Sequence, residues 1–126
     1  MAIESLRSSF PELAPQQNAY SWRTNRVEFE CDDQAISRVT VQKSETGSAS
    51  DVRTAAATIG ARMTRDTTTA VRAALDRCMS QATRSNGTAD TNSSRALIEC
   101  RIDATSLTLS VSTRPFDREP AAQPKA

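Results

Sequence analysis

The chain has 126 residues, a length that suits one domain, and its 16 basic and 15 acidic residues leave a net charge of +1. It contains no histidine, which excludes Ser–His and Cys–His nucleophile pairs and imidazole metal sites; its three glycines stand singly, which excludes G-x-G-x-x-G and P-loop phosphate cradles. Hydrophobic residues make up 37% of the chain, but 19 of these are alanine and only 20 are Leu, Ile, Val or Phe, so any core is thin in large side chains.

In chain order, residues 1–19 carry Ile3, Leu6, Phe10 and Leu13 at helical spacing and then Pro15, which predicts a short amphipathic N-terminal helical arm. From Tyr20 the period changes to two. Val27, Phe29 and Cys31 alternate with Glu28 and Glu30, and after a turn at Asp32-Asp33-Gln34, Val39 and Val41 alternate with Thr40 and Gln42. This predicts a hairpin over about 21–43. Ser50 then reads as a helix N-cap, with Asp51 complementing the helix dipole. Val52, Ala56, Ile59 and Met63 form one apolar stripe, and Val71, Ala74, Leu75, Cys78 and Ala82 form another that has rotated around the axis. The rotation predicts one long helix, bent or broken within Thr64 to Thr69, where Asp66 could cap a second segment.

Residues 84–95 are polar, hold Asn86-Gly87 and predict a loop. Ile98, Cys100 and Ile102, then Leu107, Leu109 and Val111, alternate with polar residues and predict a second hairpin. Residues 115–126, with three prolines, predict a disordered tail. The expected fold is α+β: an antiparallel sheet of about four strands, order ββαββ, flanking the bent or broken helix, with residues 20–114 as a single domain.

The cysteines Cys31, Cys78 and Cys100 all fall on the inward phase of their elements. An odd, sparse set without C-x-x-C pairing suits buried thiols in a cytoplasmic protein more than a stapled extracellular scaffold or a three-thiolate metal site; a disulfide between Cys31 and Cys100 is the minor alternative. No basic-flanked apolar leader or run of membrane-spanning length appears, and no cofactor motif is found.

Candidate chemistry is sparse. Asp32-Asp33 reads as a turn in preference to a cation site, and Glu28, Glu30 and Glu99 with Arg101 read as an ordinary charged sheet face. Arg62, Arg65, Arg72, Arg77 and Arg84 are the candidate nucleic-acid contacts, because guanidinium forks suit phosphate, but their directions spread around the helix. Small residues Ala56, Gly60 and Ala73, and the short neutral Thr108 and Ser110, are candidate interface positions: the former permit close backbone approach and the latter are cheap to desolvate. A thin core makes self-association a natural way to add buried area. The leading expectation is therefore a non-catalytic homo-oligomeric assembly or protein-interaction module, whose partners are itself and other proteins. Nucleic-acid binding by an arginine-lined oligomer is the alternative, and a small enzyme without histidine chemistry comes third.

Overall fold

The structure, a computed structural model, describes residues 2–16, 19–33 and 35–113. The expected tail at 115–126 lies outside the described residues. In chain order the elements are helix α1 (Ile3–Ser9), strands β1 (Leu13–Gln16), β2 (Ala19–Trp22), β3 (Asn25–Asp32) and β4 (Ala35–Gln42), helices α2 (Ala49–Thr64) and α3 (Thr68–Arg84), and strands β5 (Thr88–Asn92), β6 (Ala96–Ile102) and β7 (Leu107–Thr113).

Among the described residues the strands form one antiparallel sheet of seven, in the order β1-β2-β3-β4-β7-β6-β5. This corrects the four-stranded ββαββ expectation. The two expected hairpins are β3-β4 and β6-β7, joined side by side through the β4·β7 pairing, with Val39 opposite Val111 and Val41 opposite Leu109. Three further strands extend the sheet. β1 and β2 occupy part of the stretch read as arm and hairpin margin, and β5 lies within the stretch read as loop. All three are short, and β5 buries no side chain fully, so apolar alternation could not reveal them.

The helix breaks within the expected segment. Arg65 takes a left-handed conformation (φ 62°) that ends α2, and the Thr67 hydroxyl accepts the Ala70 amide at 3.0 Å to start α3. The N-cap of α2 is Ser48, not Ser50: its hydroxyl accepts the Asp51 amide at 3.1 Å. The arm is shorter than expected, because α1 ends before Pro11 and Leu13 belongs to β1. Its Leu6 is fully buried, and Phe10 packs on Trp22 with ring centroids 5.9 Å apart.

The core lies between the helices and one face of the sheet. Val27, Val39, Val41, Ile98, Leu109 and Val111 of the sheet meet Val52, Ile59, Val71 and Leu75 of the helices, all fully buried. Alanine fills much of the remainder, at Ala55, Ala56, Ala57 and Ala74 among others. The close approach this allows is greatest at Gly60, where a Cβ would stand 2.7 Å from Val111 Cγ1; only glycine lets α2 cross β7 so tightly. Cys31 departs from its expected inward position. It lies opposite Ile36, one residue before the end of β3, and is exposed.

Candidate functional site

Among the described residues the three helices lie on the core side, and none of them covers the opposite face of the sheet. Its side chains line up in cross-strand rows fixed by the register. One row runs Arg26, Gln42, Thr108, Arg101, Thr88; the next runs Glu28, Thr40, Ser110, Glu99, Asp90; the third runs Glu30, Arg38, Ser112, Leu97, Asn92. The centre of this face is short and neutral. Thr40 and Ser110 share a hydroxyl–hydroxyl hydrogen bond of 3.0 Å across β4 and β7, and both are half-buried by their neighbours.

Charge flanks that strip and is partly paired. Arg26 Nε donates to Glu28 at 2.6 Å. Arg38 donates to Glu99 and stands 3.7 Å from Glu30, spanning the sheet between β3 and β6. Glu99 and Asp90 are directly opposite on β6 and β5, a like-charge pair that costs stability in an antiparallel ladder. Arg101 and Asp90 have no ion pair among the described residues.

At the β5 end the face runs into a concavity of about 730 Å³ beside the edge strand. Gln81, Arg84 and Ser85 from the end of α3 line it together with Thr88, Asp90 and Arg101. β5 is set there by two devices. Gly87, at φ +86°, makes the turn from α3 into the strand, where a Cβ would lie 2.5 Å from the Ile102 carbonyl oxygen. Behind the strand, Cys78 of α3 and Cys100 of β6 form a disulfide with Cα atoms 6.1 Å apart. This overturns the reading of three inert thiols and of a Cys31–Cys100 bridge: Cys100 is bonded to Cys78, and Cys31 is the unpaired thiol.

The other end of α3 is held by Asp66. Its carboxylate accepts the Ser93 hydroxyl at 2.5 Å, the Thr67 amide at 2.8 Å and the Arg95 amide at 3.1 Å, tying the α2-α3 turn to the β5-β6 turn. Burial alone would raise the Asp66 pKa; the hydrogen bonds from Ser93, Thr67, Arg95 and Ser94 outweigh it and hold the carboxyl below its ordinary value. Asp103 is held low as well, by the Thr105 and Ser106 amides at 3.0 and 2.9 Å, and shapes the β6-β7 turn.

The expected site residues fall in different places. Ala56 and Gly60 are buried against the protein's own sheet, so their small size serves helix-on-sheet packing; Ala73 is exposed on α3. Thr108 and Ser110 stand side by side in β7 rows of the uncovered face. The five arginines are not gathered. Arg62 and Arg65 line a second concavity with Phe10 and Asp66 near the α2-α3 turn, Arg72 is half-buried, Arg77 donates to the Asn92 carbonyl at 3.1 Å, and Arg84 sits at the far end of α3, about 25 Å of helix away from Arg65. Among the described residues no group of three or more His, Cys, Asp or Glu side chains could hold a metal ion, and no helix is long and apolar enough to cross a membrane.

Comparison with protein-family models, with curated proteins and with solved structures finds no match to this chain. The class to which it belongs is thus defined by its own architecture: a two-layer α+β domain with helices on one face of an antiparallel sheet.

Proposed function

We propose that this protein is a non-catalytic assembly and interaction module, which associates with itself and with other proteins through the part of the sheet that its helices leave uncovered. The observation that carries the reading is the makeup of that face. Thr40, Thr108, Ser110 and Ser112 occupy the two central strands, and such short, neutral side chains lose little rotamer freedom and little hydration when another surface covers them. The flanking Arg26–Glu28 and Arg38–Glu99 pairs are already formed, so a partner need not supply counter-charges for them.

The separation of Arg62 and Arg65 from Arg84 supports protein over nucleic acid as the partner, because a phosphate backbone is bound by basic groups that act together along one surface. The Cys78–Cys100 bond bears on location. Structural disulfides persist in oxidising compartments and are rare in the cytoplasm, so the bond favours such a compartment over the cytoplasmic setting expected from the cysteine count.

Light scattering at micromolar concentration tests the reading. A defined oligomer whose mass holds in moderate salt is the expected result; a single chain at every concentration contradicts it.

A further inference from the structure

We infer that two copies of this chain pair through their β5 edges, in antiparallel register centred on Ala89, to make one continuous sheet. The inference rests on the self-association in that reading and assigns it to the edge of the sheet beside the uncovered face.

The geometry begins with which groups β5 leaves unused. The Ile102 amide donates to the Gly87 carbonyl and the Ser93 amide to the Ala96 carbonyl, so residues 87, 89, 91 and 93 face β6 and residues 88, 90 and 92 face away from it. The Asn92 carbonyl is taken by Arg77. The backbone N–H and C=O groups of Thr88 and Asp90, two residues apart, and the N–H of Asn92 remain on the open edge without a hydrogen-bond partner among the described residues. The opposite edge of the sheet, β1, is interrupted by Pro15, which cannot donate and so blunts that edge. β5 has no proline or lysine.

Charge then selects occupant and register. Pairing two β5 strands about Asp90 would set Asp90 against its copy and align four carboxylates, since Glu99 lies opposite Asp90 within each chain. Pairing about Thr91 would require the Asn92 carbonyl already held by Arg77. Pairing about Ala89 places Thr88 of each copy opposite Asp90 of the other and satisfies the N–H and C=O groups of both residues in each strand. Arg101 lies opposite Thr88 within its own chain, so the outer row then reads Arg101, Thr88, and the partner copy's Asp90. This brings each otherwise unpaired arginine within two strand spacings, about 10 Å between backbones, of an otherwise unpaired carboxylate. On the core side Ala89 meets its own copy, and its small side chain leaves room for Gln81 and Arg84 from the two α3 helices to cover the seam.

Two variants test this in the full chain. Asp90→Pro removes an outward-facing amide that β6 does not use, and Asp90→Lys replaces the attraction across the seam with repulsion, setting a cation two strand spacings from the other copy's Arg101 while leaving the backbone unrestricted. Sedimentation of the wild type should give about twice the 13.7 kDa of one chain; both variants should halve that mass while keeping the wild-type circular dichroism spectrum. Variants that stay dimeric would overturn the β5 pairing and leave the assembly reading standing. A wild type that stays a single chain at tens of micromolar would overturn both.

Discussion

Gly60 and Asp66 show how single positions hold the two layers together. At Gly60, alanine would add about 1 kcal/mol of helix propensity but would drive a methyl group into Val111, whose branched carbons stand 2.7 to 3.0 Å from the added atom. Overpacking of this kind costs about 1–3 kcal/mol, so Gly60→Ala should be destabilising in urea melts, and the loss should shrink in a Val111→Ala background because the clash partner is gone. A Gly60→Ala variant more stable than wild type would contradict the packing described. The sequence shows that Gly60 is small; it does not show which strand it meets, because that depends on the β4·β7 pairing in the middle of the sheet.

Asp66 was expected to cap the second helix, a role that Thr67 takes instead, and its bonds to Ser93 and Arg95 were not legible, since these partners lie 27 and 29 residues away from it. Asp66→Asn should cost about 1–3 kcal/mol by weakening charge-assisted bonds. The pH dependence has a definite sign. The folded pKa is depressed below the ordinary 3.8, so the Asp66 contribution is complete above that value and is lost as the pH falls through the lower folded pKa. The stability gap between wild type and Asp66→Asn should therefore be constant near neutrality and close in strong acid. A gap that widened below pH 3.8 would contradict the hydrogen-bond assignment.

At the scale of elements, β3, β4, β6 and β7 were readable because each alternates several large apolar residues with polar ones, and the helical stripes gave both the helices and the break between them. β1, β2 and β5 were not readable. β5 is Thr88-Ala89-Asp90-Thr91-Asn92, whose inward positions hold only Ala89 and Thr91, and its place is fixed by β6 and by the Cys78–Cys100 bond behind it more than by its own preference. Inward phase suggested buried thiols at all three cysteines; Cys31, one residue before the end of β3, is exposed instead, and the crossing of α3 over β6 joined the other two. Thiol titration of the denatured, unreduced protein should find one free thiol, and three after reduction. Closing a loop of 22 residues is worth about 3 kcal/mol by chain entropy, so Cys78→Ser with Cys100→Ser should lower the unfolding free energy by roughly that amount. Three titratable thiols before reduction would remove the cross-link from the account.

For the molecule as a whole, the shortage of large apolar residues is met in part by close packing. Alanines and Gly60 bring α2 and α3 down onto the sheet, so small side chains make the core dense where they cannot make it large. Among the described residues the core sits entirely on one side, and the consequence is a broad sheet with one bare face and one unguarded edge. The sequence disclosed the polar makeup of that face through the residues alternating with the core positions. It could not disclose the extent of the sheet, and it placed the five arginines on one helix that folds as two, with Arg62 and Arg65 at the end of α2 and Arg84 at the far end of α3.

Hydrogen exchange at the Thr88 and Asp90 amides, followed from micromolar concentration down to nanomolar, probes association at the atoms assigned to it. Slow exchange in the concentrated protein that becomes fast on dilution, with the β4 and β7 amides protected throughout, is the predicted result. Fast exchange at Thr88 and Asp90 at every concentration would contradict the account.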